Sequence, residues 1–111
     1  MIEQYLDELL KEEATVWKPQ GEDMYGRPGW EAPEVVAVRW EDKEETYLNE
    51  KGEEVGARSI VYSRSQIPVG SRISYGREDQ PEPPSDSFKV VRVERIPSLE
   101  GECEIYRLLL A

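Results

Sequence analysis

The chain of 111 residues contains no histidine, one cysteine (Cys103) and one phenylalanine (Phe88). Without histidine, the Ser–His and Cys–His pairs that activate many protein nucleophiles are excluded. A single cysteine cannot form an intramolecular disulfide, and a zinc site built from several Cys and His ligands is ruled out with it. No apolar run approaches the roughly 18 residues that span a bilayer, and no signal-peptide pattern opens the chain. It therefore reads as soluble and by default cytoplasmic. Positive charge is also scarce, with 14 Lys and Arg against 24 Asp and Glu and a net charge of −10. With so many carboxylates, pairing any two on paper singles out no catalytic acid and base. The expectation is a non-enzyme with no metal and no cofactor.

What the chain does have is aromatic core material: Trp17, Trp30, Trp40, Phe88 and six tyrosines, within a hydrophobic content of 38%. That argues against disorder and, at this length, for one domain over residues 1–111. The acids fall in blocks. Residues 1–14 hold five acids and one lysine, residues 41–54 seven acids and two lysines, and residues 76–87 four acids and Arg77. Residues 55–75, by contrast, contain Arg58, Arg64 and Arg72 and no acid. A field of this sign repels nucleic acid, which disfavours binding by counterion release. Two readings of the pattern stay open. The acids either keep an exposed surface soluble, or acidic and basic faces of neighbouring copies meet head to tail, as a heterologous ring requires.

Ile2, Tyr5, Leu6, Leu9 and Leu10 recur at helical spacing among Glu3, Asp7, Glu8, Lys11 and Glu12, which predicts a short amphipathic helix within residues 1–13. Its stripe packs either on its own domain or on a neighbouring protein. Thr15 to Lys18 reads as a short strand ended by Pro19 and Gly21. Residues 19–34 are rich in glycine and proline and read as an ordered loop, in which Tyr25 and Trp30 either cap the core or anchor a partner. Val36, Val38 and Trp40 alternate with Val35, Ala37 and Arg39 in a strand that residues 44–48 continue. Asn49 to Gly52 has hairpin-turn chemistry, and Val55 to Tyr62 is the return strand. Arg72 to Tyr75, Phe88 to Ile96 and Glu102 to Leu110 complete the set. Pro81, Pro83 and Pro84 make residues 76–87 a stiff exposed loop. About six antiparallel strands in so short a chain predict a mainly all-β domain. The architecture expected is a small β-barrel over residues 14–111, with a short N-terminal helix and long loops.

Several segments carry a likeness through their order and spacing: Tyr25-Gly26, Trp30 with Pro33, Val38-Arg39-Trp40-Glu41-Asp42-Lys43, Gly52-Glu53-Glu54-Val55, Ile60-Val61-Tyr62 and Val69-Gly70. With Ile96-Pro97-Ser98-Leu99-Glu100-Gly101, they resemble the small head-closure, or head–tail connector, proteins of tailed bacteriophages, often labelled minor capsid proteins. The resemblance runs from about Val16 to the C-terminus and implies a β-barrel subunit of a homo-oligomeric ring in the virion neck, assembled in the host cytoplasm. Its implied partners are the portal or adaptor connector on the head side and a tail-completion or tail-tube protein on the other. Packaged double-stranded DNA would pass through the lumen without sequence-specific binding.

On that reading the hairpin bearing Glu44, Glu45, Asn49, Glu50, Lys51, Gly52, Glu53 and Glu54 is the candidate for projection into the lumen, where acids let a duplex slide. The plain alternative is a solvated hairpin tip. Candidate contacts between subunits or with partners are Ile2, Tyr5, Leu9, Tyr25 and Trp30 as apolar anchors, with Arg58, Arg64 and Arg72 setting register. Two other functional classes remain open. One is an acidic DNA mimic that inhibits a nucleic-acid enzyme. The other is a carbohydrate-binding module using Trp17, Trp30 and Trp40.

Overall fold

A computed structural model of the protein describes residues 10–22, 24–97 and 104–111. Its strands are β1 (Glu12–Trp17), β2 (Pro19–Glu22), β3 (Pro28–Trp30), β4 (Glu34–Glu41) and β5 (Glu45–Leu48), then β6 (Glu54–Ala57), β7 (Ser59–Ser63), β8 (Arg72–Tyr75), β9 (Phe88–Pro97) and β10 (Glu104–Leu110). Six of them close into an antiparallel barrel in the order β1-β4-β7-β10-β9-β8. The pairs β2–β3 and β5–β6 are separate two-stranded arms. The all-β barrel expected from the alternation of apolar residues is the fold observed.

The barrel interior collects one face of every wall strand. Ala14 and Val16, Val36 and Val38, Val61, Ile73, Val90, Leu108 and Leu110 are buried together, and Ile67 joins them from the β7–β8 connection. Trp40 and Phe88 pack on this core, as do Val93 and Tyr106. Full closure leaves the barrel itself no open edge, since β1 pairs with both β4 and β8.

Three expectations are corrected. Leu10 and Lys11 are not helical, and Glu12 and Glu13 belong to β1, opposite Val38 and Ala37, so residues 10–13 of the expected helix are not helix. Cross-strand pairing with β4 overrides the local helical spacing there. Of the predicted stripe, Leu10 is described and buried, and Ile2, Tyr5, Leu6 and Leu9 lie outside the described residues.

The second correction concerns residues 19–34, which hold an arm rather than a loop: Pro19 pairs with Trp30 and Glu22 with Pro28. Glu31 N–H donates to the Lys18 carbonyl at 2.9 Å and closes the base of the arm. Gly26 supplies the positive φ of 76° that its turn requires.

Third, residues 44–48 do not continue β4, and residues 55–62 are not one strand. The chain leaves the barrel after Glu41, where Asp42 Oδ1 accepts from Trp40 Nε1 and from Ser59 Oγ, each at 3.1 Å. It re-enters after Arg58, whose N–H donates to the Leu110 carbonyl at 2.7 Å.

Residues 76–80 are fastened to the outer face of β1. Glu13, Thr15 and Trp17 share the outer face of β1, and each holds one point of this segment. Gly76 N–H donates to the Glu13 carbonyl at 2.8 Å, and Arg77 ion-pairs with the Glu13 carboxylate at 2.5 Å. Thr15 Oγ1 donates to the Gly76 carbonyl at 2.8 Å and accepts from Glu78 N–H at 2.9 Å. Trp17 Nε1 donates to the Gln80 carbonyl at 2.9 Å. Thr15 and Trp17 are therefore fully buried although they point away from the barrel core. The prolines that suggested a stiff exposed loop begin only after this strap.

Candidate interaction surfaces

The β4–β7 ladder sets Trp40 opposite Val61 and Glu41 opposite Ile60, so the charged stretch at Arg39 to Lys43 starts in barrel wall and ends outside it. The β5–β6 arm then carries the acidic hairpin. Its turn is organised by Asn49, whose Oδ1 accepts from the N–H groups of Lys51 and Glu53 at 2.9 and 3.0 Å. Gly52 at φ 78° donates back to the Asn49 carbonyl at 3.0 Å. Glu44, Glu50, Lys51, Gly52, Glu53 and Glu54 are exposed, and Glu45 and Asn49 are half-buried.

Glu45 differs from the other acids because it is part of the anchor. Arg107 on β10 binds Glu45 through Nη2 and Glu94 on β9 through Nη1, the latter at 2.6 Å. Burial opposes the guanidinium charge, but hydrogen bonds to Tyr62, Glu45 and Glu94 outweigh that and raise its pKa. Arg92 Nη1 donates to the Leu48 carbonyl at 3.2 Å. Both arginines alternate with inward-facing residues of β9 and β10, so the arm lies along the outer side of those strands. Ile60 and Leu109, paired across β7 and β10 on the same outward parity, are also buried. Spacing along the chain gives no sign of this anchor, because its three charges sit at positions 45, 94 and 107.

Beyond the anchor, the tip of the arm borders a groove of about 550 Å³. Leu48, Val69 and Val91 line it with two acids, Glu50 and Glu53, and two bases, Lys51 and Arg92. Leu48 and Val69 are each more than half exposed, at 58% and 57%.

The arginine-rich stretch divides on inspection. Arg58 is exposed, and its Cζ lies 5.3 Å from the ring centre of Phe88, within cation–π range. Arg64 is exposed. Arg72 is half-buried, and its Nη1 donates to the Ser87 carbonyl at 3.5 Å, so it also serves the fold internally. Among the apolar anchor candidates, Tyr25 is 76% exposed at the tip of the β2–β3 arm and Trp30 is half-buried nearer its base. Ile2, Tyr5 and Leu9 fall outside the described residues. Trp17 lies under the strap and Trp40 in the barrel mouth, so the three tryptophans do not form one exposed platform.

That mouth is a surface the sequence did not single out. Trp40 meets Tyr75 at 5.5 Å with rings at 88°, and Phe88 at 5.4 Å with rings at 64°. Glu12 ties the group together: Oε1 accepts from Trp40 N–H at 3.2 Å, and Oε2 accepts from Tyr75 Oη at 2.7 Å. The hydrogen bond to Glu12, and then the charge of Glu12, raise the Tyr75 pKa above the ordinary phenol value. A raised pKa means that folding favours the protonated phenol. Its stabilising contribution is complete below the unfolded value near 10 and is lost as pH rises through the folded one. Ultraviolet titration of Glu12→Gln should show one phenol ionising at lower pH than in the native protein, assigned by its absence from Tyr75→Phe. Superimposable titration curves for Glu12→Gln and the native protein would contradict the contact.

Among the described residues, no cluster of three or more Asp, Glu or Cys side chains has the geometry to hold a metal. No family model matches the chain, and no curated protein matches it either.

Proposed function

We propose that the protein is a structural subunit of a connector ring in the neck of a tailed bacteriophage. There it joins the portal or adaptor complex to the tail and helps to retain the packaged DNA. The likeness of the segments from Tyr25 to Gly101 motivates this reading. The observation that carries it is a closed barrel with two ordered arms, one ending in exposed Met24 and Tyr25 and the other in exposed acids. A barrel without open edges does not polymerise through its sheet, so contacts between copies fall to the arms and to side chains. The acidic tip suits a channel wall, because it repels phosphates and leaves a passing duplex unbound.

The duplex-mimic reading is weaker on the same geometry. A mimic needs a continuous row of unneutralised acids, whereas Glu13, Glu34, Glu41, Glu45 and Glu94 are each paired with a lysine or arginine. Deleting the coding sequence from its phage genome should abolish plaques. Electron microscopy should then show separate tails beside heads that have lost their DNA, and purified protein added to such an extract should restore joined particles. Intact tailed virions from the deletion strain would refute the role.

A further inference from the structure

We propose that the slot between β9 and the tip of the β5–β6 arm accepts an extended peptide segment of another polypeptide. The segment adds to the sheet as a strand along the free edge of β9. This site goes beyond the connector reading and does not depend on it.

The edge arises from unequal strand lengths. β9 is ten residues long and pairs with β10 as far as Pro97, but it meets β8 only at Phe88 and Lys89. Val90 is the last residue held on that side: Gly70 N–H donates to its carbonyl and its own N–H donates to the Ser71 carbonyl, each at 2.9 Å. Among the described residues, no strand and no loop main chain pairs with that side from Val91 to Pro97. The barrel wall is closed, and β9 runs on beyond its pairing with β8 for roughly 20 Å at the rise of a strand.

The groove of about 550 Å³ lies on this edge. Side chains of a strand alternate between its faces, so a groove on one face touches every second residue. This one is lined by Val91, Arg92 and Val93 in succession, and on its other wall by Tyr47 and Leu48, also in succession. It therefore runs between the edges of two strands, and β5 pairs with β6 alone. Arg92 Nη1 reaches across to the Leu48 carbonyl at 3.2 Å, so a main-chain acceptor of β5 already takes a donor from this side. Main-chain groups left open at an edge are what an added strand satisfies, and apolar side chains beside them, here Leu48 and Val69, receive every second residue of the guest.

Charge and area name the occupant. Glu50 and Glu53 balance Lys51 and Arg92 along the slot, which favours a segment of little net charge over a polyanion or the acidic tip of a second copy. A groove of this size holds a few residues of one strand, too little for the roughly 1,200 Å² that a stable contact between folded proteins buries. A peptide draws its affinity instead from main-chain hydrogen bonds. Arg92, Glu94 and Arg95 also put charges along the same edge, a common device against the pairing of two whole sheets.

The probe is a library of random decapeptides, selected on the full chain, from which an enriched peptide is synthesised. It should carry apolar residues at alternate positions. On binding, alternate amides between Val91 and Ile96 should slow several-fold in hydrogen exchange, while those of β1 and β4 stay unchanged. N-methylation at every second amide of the peptide should weaken binding about tenfold, the loss of one buried hydrogen bond, and at the intervening amides much less. That period of two separates strand addition from docking through side chains alone. No enrichment, a bound peptide that leaves the β9 amides unchanged, or an equal loss at every N-methylated position would overturn the proposal. So would a free protein whose outward β9 amides are already protected, by its own chain or, where sedimentation shows a dimer, by a second copy.

Discussion

Arg107→Met should destabilise the protein by about 2–4 kcal/mol, somewhat less than the loss of one member of a fully buried ion pair, because the Arg107 side chain keeps 18% of its exposure. The arginine holds two acids from different parts of the chain, Glu45 on an arm and Glu94 on the barrel wall. Removing it leaves Glu45 without its countercharge and Glu94 with only Arg92, 4.0 Å away, and the methionine replaces only the bulk of the stem. For a domain of this size the melting temperature should fall by on the order of 10 °C. Glu45→Gln should cost much less, because Glu94 and Tyr62 still engage the guanidinium. Hydrogen exchange gives the sharper readout. Amides of residues 45–57 should gain more in exchange rate in Arg107→Met than those of β1 and β4, which carry no part of this network and lose only the protection that the lower global stability removes. Unchanged exchange across the β5–β6 arm would show that something other than Arg107 holds it.

The second large effect is expected at Trp17. Its side chain is fully buried between the outer face of β1 and the strap, so Trp17→Ala should cost about 3–5 kcal/mol, a large share of the stability of a small domain. Trp17→Phe separates the two contributions. It keeps most of the apolar contact and deletes the Nε1 bond to the Gln80 carbonyl, for an expected loss of about 1–2 kcal/mol. Limited proteolysis should then cut within residues 76–87 faster than in the native protein, while fragments of the barrel stay resistant. If Trp17→Phe leaves both stability and cleavage unchanged, the strap is held by Thr15 and Glu13 without it.

The legible part of this fold is the part written in period-two alternation. Val36, Val38 and Trp40, the turn at Asn49 to Gly52, and the long run from Phe88 predicted strands and a hairpin where they occur. The β2–β3 arm was not legible, because glycine and proline signal turns while its pairing is made by backbone groups that leave no side-chain period. Nor was the strap. Thr15 and Trp17 meet Gly76 and Gln80 across more than 60 residues, and both faces of β1 are buried, so alternation says nothing about which face has a second layer. Of the candidate surfaces, the acidic hairpin could be read from residue type, but residue type left Tyr25 open between the end of the core and a partner. The Arg107 anchor, the aromatic mouth under Glu12 and the groove could not. Each brings together residues from distant strands, and only the closed barrel order makes them neighbours.

The closing pair β1–β8 has a consequence for how the molecule forms. Ala14 meets Tyr75 and Trp17 meets Arg72, so this seam joins residues 55 to 61 positions apart. Pairings of such long range carry a high loop-closure cost and tend to limit folding rate. While the chain is being synthesised, β1 can pair with β4 but has no partner on its other edge until β8 appears, and Trp17 has no cover until Gln80 follows. Seam and strap therefore form together, late, in one cooperative step. Until then the chain presents an open sheet edge with a bare tryptophan beside it, and only the closed barrel hides both.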